Sequence, residues 1–261
     1  MNGLRVWAML VTFLFVLLYI SCGSEKAETV AAGPAIDMRA QAIADSILLA
    51  LGGKKNWENT RYLAWNFLDS RHHIWDKKTG RLHFESKDLL VLMNVNTKKG
   101  RAWKGNVEIN DTIELNETLE KTYAIWINDS YWLTMPFKLK DPGVHLKYLG
   151  EKVVDDFPAY VLELTFDRVG LTPQNKYHVY VHKRSKLIRR WDYFSNSTDS
   201  LPKMSSPWNN WRQYGNILLS DSRGEGRTLA PVAVFQELPD KIFELPEPIS
   251  LEDLIAQYSK N

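Results

Sequence analysis

Short segments of alternating apolar and polar residues, each closed by a turn signal, recur along most of this chain, and that pattern points to antiparallel sheet. In residues 61–68, Leu63, Trp65 and Phe67 fall on one side. Segments 73–76 and 81–85 flank Lys77-Lys78-Thr79-Gly80, a hairpin turn with glycine where a positive φ is required. Segments 89–96 and 101–107 flank a second such turn, Thr97-Lys98-Lys99-Gly100. Residues 131–139 read as an aromatic strand ending at Asp141-Pro142-Gly143, a strong turn signal. Strands are expected again at 144–148, 152–154 and 159–166, with Asp155-Asp156-Phe157-Pro158 between the last two. Segments 176–182 and 187–194 pair across 183–186. Residues 195–208, rich in Ser, Asn and Pro, read as a long surface loop, and 211–220 and 232–238 as two more strands.

Helical signals are few. Ile36, Ala40, Ile43, Ile47 and Leu51 recur at spacings of three and four, so residues 36–51 make an amphipathic helix stopped by Gly52-Gly53. Residues 114–125 are ambiguous, with a short helix beginning at 116–119 as one reading. Ser250 and Asp253 have capping-box spacing before Leu251, Leu254, Ile255 and Tyr258, which predicts a terminal helix. Successive hairpins with few helices mean a mainly β (α+β) chain: a meandering antiparallel sheet, curved or partly closed to deal with its edges, with an N-terminal amphipathic helix.

The N-terminus carries a different signal. Arg5 is the only charge before an uncharged, mostly apolar run over 6–20, which is followed by the small Ser21 and by Cys22. This is the pattern of a secretory signal. Leu18-Tyr19-Ile20-Ser21-Cys22 resembles a bacterial lipobox, with Tyr19 departing from the usual aliphatic residue. The resemblance implies cleavage after residue 21 and acylation of Cys22. An uncleaved anchor is the alternative, since the uncharged stretch 6–24 approaches the roughly 20 residues of a spanning helix. Either way the remaining chain is held at a membrane, outside the cytoplasm. The expected organisation is 1–21 signal peptide, 22–35 lipidated tether and 36–261 a single domain. The chain has one cysteine, so no internal disulfide forms, and the thiol sits where acylation would consume it.

Cleavage removes only Arg5 among charged residues and lowers the net charge from +2 to +1. That balance offers no concentrated basic face for nucleic acid. Aromatics are plentiful, with ten Trp, eleven Tyr and ten Phe, enough to build a thick core or to line an apolar cavity. Trp103, Trp126, Trp132 and Phe137 are the candidate cavity residues.

A helix ending in Gly-Gly, then serial hairpins behind a lipobox, resembles the LolA/LolB/RseB superfamily. The segment from Tyr131 through Met135-Pro136-Phe137 to Asp141-Pro142-Gly143, with Leu149-Gly150 and Gly170-Leu171-Thr172-Pro173 to Tyr177, is similar to a group of Bacteroidota outer-membrane lipoproteins. The resemblance covers roughly residues 36–195. It implies a strongly curved antiparallel sheet, an incomplete β-barrel whose hydrophobic concave face is covered by the N-terminal amphipathic helix and short further helices, an envelope location (the outer membrane facing the periplasm, or surface display), and a lipid or other hydrophobic ligand. Another envelope protein is the alternative partner. The resemblance implies no catalytic residue and no cofactor.

The sequence adds little chemistry of its own. His178 and His182 lie four residues apart on a strand, about 13 Å, too far to share a zinc ion with bonds near 2 Å. His72-His73 with Asp69 and Asp76 reads as a polar turn rather than a metal site. Asp155-Asp156 are adjacent and diverge, and no Gly-x-Ser-x-Gly elbow occurs. Asn110, Asn116, Asn128 and Asn196 head N-x-Ser/Thr triplets, and Asp111-Thr112-Ile113 and Asp199-Ser200-Leu201 resemble Bacteroidota O-glycosylation sites. Neither catalysis nor a metal is expected. The readings carried forward are a hydrophobic-ligand-binding lipoprotein, a structural or interaction lipoprotein with a side-chain-filled cavity and, third, an envelope hydrolase.

Overall fold

Asp37 opens the first helix of the computed structural model, which describes residues 36–258. Its carboxylate accepts the Ala40 N–H at 3.0 Å, capping α1 (Met38–Ala50), and the Tyr148 N–H at 2.7 Å, tying the helix start to a distant strand. Ala40, Ile43, Ala44 and Ile47 form the buried stripe. Gly52 and Gly53 end the helix at φ of +107° and +86°. A further short helix, α2 (Lys54–Asn59), follows at once, where no helix was expected. The signal peptide, lipobox and tether expected over 1–35 lie outside the described residues.

The first strand series is β1 (Tyr62–Phe67), β2 (Arg71–Asp76), β3 (Arg81–Ser86), β4 (Leu89–Asn94), β5 (Lys99–Lys104) and β6 (Val107–Glu108). Then α3 (Thr112–Thr134) and a 3₁₀ turn (Met135–Phe137) interrupt the sheet. The second series is β7 (Val144–Val154), β8 (Phe157–Phe166), β9 (Lys176–His182), β10 (Ile188–Phe194) and β11 (Met204–Pro207). After it come β12 (Asn209–Tyr214), β13 (Ile217–Ser222), β14 (Val232–Phe235), a second 3₁₀ turn (Asp240–Phe243) and α4 (Leu251–Tyr258).

The chain is thus mainly antiparallel sheet with a few helices, and its sheets do not close into a barrel. Seven strands lie in the order β14-β1-β2-β3-β4-β5-β6, five in the order β11-β10-β9-β8-β7, and β12-β13 stand as a hairpin. One face of each larger sheet contributes to a single core with α1 and α3: Leu63, Trp65, Phe84 and Val91 from the first, Leu162, Val179 and Trp191 from the second. The other face of the seven-stranded sheet carries Tyr62, Ala64 and Ile74, covered by Ile242, Phe243, Leu251 and Leu254 of the C-terminal segment. α4 starts as its spacing predicts, with Ser250 Oγ accepting the Asp253 N–H at 3.2 Å.

Several sequence expectations are corrected. Residues 131–139 are not a strand: they complete α3, capped by Asp111, and its 3₁₀ extension. Aromatic residues favour strands only because strands usually supply their packing partners, and here Trp132 finds Trp191 across the core at 5.4 Å. Residues 195–208 are not all surface loop, because β11 pairs with β10 and Trp208 is fully buried. Residues 211–220 hold parts of two strands, turned at Gly215 with φ +55°. Segments 144–148 and 152–154 form one strand with an irregularity between Tyr148 and Gly150. The His72-His73 segment is not a turn but the middle of β2. Among the described residues, no helix is long and apolar enough to cross a membrane.

Candidate functional site

Where α3 crosses the inner face of the five-stranded sheet, the two do not fill the space between them. A cavity of about 630 Å³ remains there, within the range typical of small-molecule sites. α3 supplies one wall with Ala124, Trp126, Ile127, Tyr131 and Trp132, and Trp75 of β2 closes one end. The opposite wall comes from alternate positions of adjacent strands, Phe166 on β8, Tyr177 on β9, and Trp191 and Tyr193 on β10. The register pairs Tyr193 with Tyr177 and Trp191 with Val179, so these side chains stand on the same face. Val169, Leu171 and Thr172, in the connection between β8 and β9, form the rim with Pro142.

The aromatic rings support one another. Tyr177 stacks on Trp191 at 5.1 Å, Tyr131 contacts both at 5.6 and 6.0 Å, and Trp75 meets Trp126 edge-on at 5.2 Å. Burial pushes the Tyr177 phenol up to about 12 and raises that of Tyr131 well above its ordinary value, so both stay neutral at any physiological pH. Ser130, the serine of this wall, donates to the Ile127 carbonyl of its own helix at 3.2 Å, and Lys138 pairs with Asp141 at 3.2 Å. Among the described residues lining the cavity, no hydroxyl therefore stands against a base, the pairing a nucleophile needs. The wall is suited to holding apolar matter with a few polar groups at its edge.

One polar network fixes the helical wall. Asp129, fully buried in α3, accepts two bonds from Arg71 at 2.6 and 2.8 Å and contacts His73 Nε2 at 2.8 Å. Burial alone would raise the Asp129 carboxyl, but hydrogen bonds from His73 and Arg71 outweigh it and leave it below the usual range. Burial lowers His73, so the neutral ring donates Nε2–H to the carboxylate while Arg71 carries the balancing charge. His73 stacks on Trp65 at 4.5 Å. The clamp holds α3 to β2 immediately beside Asn128, Ser130, Tyr131 and Trp132 of the cavity.

Of the four cavity residues proposed from sequence, Trp126 and Trp132 line the space. Trp103 packs with Leu90 and Leu92 on the other face of the seven-stranded sheet, and Phe137 stacks on Trp57 at 4.3 Å; neither lines the cavity. Tyr131, Tyr177, Trp191 and Tyr193 line it without having been singled out. The signal for the last three was present in the alternation of β9 and β10 once paired. His178 contacts Glu163 at 3.3 Å and His182 contacts Ser185 at 3.0 Å, so the two imidazoles do not converge. Asp155 and Asp156 form the β7–β8 turn, both at positive φ.

No protein-family model matches the sequence, and no curated protein matches it. Among solved structures, the chain is similar to a DUF1329 family protein from Desulfovibrio piger at 14% identity, over 79% of this chain and 97% of that one, with a TM-score of 0.42. It is similar to a domain described as outer membrane lipoprotein-sorting from Vibrio parahaemolyticus at 9% identity, over 78% and 96%, with a TM-score of 0.38. A LolA superfamily protein from Nitrosomonas europaea shares 14% identity over 77% and 96%, with a TM-score of 0.33. All three TM-scores lie below 0.5, so these are similarities only, and the fold and cavity stand on their own geometry.

Proposed function

We propose that this chain is a non-catalytic envelope lipoprotein, anchored through an acylated Cys22, that takes a lipid or other hydrophobic ligand into the cavity between α3 and the five-stranded sheet. The observation that carries this reading is the cavity itself: about 630 Å³ of space walled by Trp75, Trp126, Tyr131, Trp132, Tyr177 and Trp191. Each methylene moved from water into such a wall contributes about 0.8 kcal/mol. The polar groups at the rim, Thr172 and Asn175 among them, orient the wetter end of an amphiphile. The lipobox resemblance supplies the anchor, and more than one acyl chain on Cys22 makes it stable.

Organic extraction of a Cys22→Ser protein secreted to the periplasm, followed by mass spectrometry, is expected to recover a stoichiometric lipid. The same protein is expected to take up a fluorescent fatty acid. Ala124 faces the cavity from α3, so Ala124→Trp places an indole in the ligand's space. Uptake is expected to fall at least about tenfold, the equivalent of 1.4 kcal/mol, with an unchanged circular dichroism spectrum. Recovery of no lipid together with no uptake by the unsubstituted cavity overturns the proposal and favours a protein-binding role.

A further inference from the structure

We propose that His72, His83 and Glu85, on the outer face of the seven-stranded sheet, form a binding site for one divalent transition-metal ion of the zinc class. The site is far from obvious in sequence because its ligands come from two strands. β2 and β3 pair with His72 opposite Glu85 and Ile74 opposite His83, so the three side chains share the face that the C-terminal segment covers. Their ligand atoms all lie within 4.8 Å of one another. His83 Nε2 stands 2.7 Å from Glu85 Oε1, and His72 Nε2 stands 3.2 Å from the same oxygen. A tetrahedral ion with bonds of about 2.0–2.1 Å needs its ligand atoms about 3.3 Å apart, so seating it opens the His83–Glu85 contact by about half an ångström and draws the two imidazole nitrogens, within 4.8 Å of each other, together by up to about 1.5 Å.

Two features go beyond proximity. His83 is fully buried, and its Nδ1 lies 2.6 Å from the Ile242 carbonyl, an acceptor that can only take a proton from the ring. That bond commits Nδ1 as an N–H, which leaves Nε2 as the nitrogen that faces a carboxylate oxygen 2.7 Å away. An imidazole nitrogen and a carboxylate oxygen at this distance need a cation between or beside them, a second ring proton or a metal ion. The backbone carbonyl behind the imidazole is the arrangement that orients metal-bound histidine. The second feature is His72 Nε2, which is buried and makes no hydrogen bond of good geometry although it stands 3.2 Å from Glu85 Oε1. A buried imidazole nitrogen beside that oxygen, with no hydrogen-bond partner of its own, is available to coordinate an ion. The Ile249 N–H holds Glu85 Oε1 at 2.8 Å, so the backbone groups that orient His83 and Glu85 both come from the C-terminal segment.

Two nitrogens and one oxygen suit zinc, nickel or copper better than calcium or magnesium, which prefer oxygen alone. Three protein ligands leave a fourth position for water on the side where His72 is partly exposed. The Ile242 and Ile249 backbone groups depend on the same side chains, so the bound ion clasps the segment from the second 3₁₀ turn to the start of α4 onto the sheet.

The test titrates the full chain, purified in detergent micelles, with Zn²⁺ by calorimetry at neutral pH and with Co²⁺ by visible absorption. One ion per chain is expected, with the intense d–d bands of a tetrahedral Co²⁺ site and slower amide exchange over 240–258. His72→Ala and Glu85→Gln are each expected to weaken binding at least about tenfold, while His182→Ala leaves it unchanged. Should His72→Ala fail to fold, Glu85→Gln and the Co²⁺ spectrum of the unsubstituted chain still decide the matter. Absence of stoichiometric binding, binding equally tight in both variants, or a His83 ring carrying both protons in excess Zn²⁺ overturns the site and leaves a histidine–glutamate ion pair.

Discussion

Replacing Asp129 by alanine tests the clamp that holds the helical wall of the cavity. In the folded chain the Asp129 carboxylate is fully buried and takes two bonds from Arg71, one from His73 and one from Asn128. Removing it strands the His73 Nε2–H in a fully buried position, at a cost of about 1–3 kcal/mol. It also leaves the Arg71 guanidinium without its anion. Arg71 keeps partial access to water and lies over the Phe67 ring at 4.5 Å, so its loss falls below the roughly 3–5 kcal/mol of a wholly buried orphan charge. Alanine returns up to about 0.7 kcal/mol through helix propensity. The net expectation is a destabilisation of about 3 kcal/mol, read by urea unfolding with an unchanged m-value. A thermal midpoint lower by about 6–12 °C follows for a domain of this size. Asp129→Asn, which keeps one acceptor, is expected to lose roughly half as much as Asp129→Ala. The double variant Arg71→Met/Asp129→Ala is expected to lose less than the two single changes combined, by about 1–3 kcal/mol. A loss below about 1 kcal/mol for Asp129→Ala, or strict additivity with Arg71→Met, refutes the clamp.

Two further outcomes follow from the same geometry. Acid is expected to unfold the domain through its depressed carboxyls. Burial raises Asp76, but hydrogen bonds from Arg61, Thr79 and Arg81 hold it below its ordinary value, as the clamp does Asp129. Their contribution is complete above the unfolded carboxyl value of about 3.9 and is lost as pH falls through the lower folded values. Urea midpoints should therefore decline modestly below about pH 6.5, where the unfolded chain protonates the histidine that burial keeps neutral at His73, and drop steeply below about 4; a flat profile to pH 2 refutes it. Gly52→Ala is expected to cost about 2–3 kcal/mol in thermal unfolding, because φ is +107° and the new Cβ would meet the Asn216 carbonyl oxygen. Gly53→Ala meets nothing within 4 Å and is expected to cost only its backbone strain, about 1–2 kcal/mol, since φ +86° with ψ 161° is a conformation confined essentially to glycine. Equal losses for the two refute the close approach between the end of α1 and the β12–β13 turn.

Local rules carried the sequence reading a long way. Alternation in 61–68, the glycine turn after Thr79, the Asp155-Asp156 corner and the Ser250 capping box each act within a few residues, and each appears in the fold. The second hairpin turns earlier than its glycine suggests: Lys98 takes the positive φ, +56°, and Gly100 already pairs with Met93 inside β5. They suffice for an antiparallel, mainly β chain with a capped first helix. They fail where a distant partner decides. The Tyr131-Trp132 segment became helix because Trp191, about sixty positions away, supplies the packing an aromatic strand would have sought in its own sheet. Trp126 and Trp132 came to line the cavity and Trp103 and Phe137 did not, because which face a side chain takes depends on strand register and on what covers the sheet. The histidine pair shows the division most plainly. Adjacent residues on a strand point to opposite faces, so His73 enters the clamp with Asp129 while His72 joins His83 and Glu85 on the other side. Composition and period alone determined that this chain folds mainly as aromatic-rich antiparallel sheet. The cavity, its clamp and the histidine–glutamate cluster exist only because the tertiary fold brings residues from separate elements within hydrogen-bonding distance, and one-dimensional spacing contains no term for that.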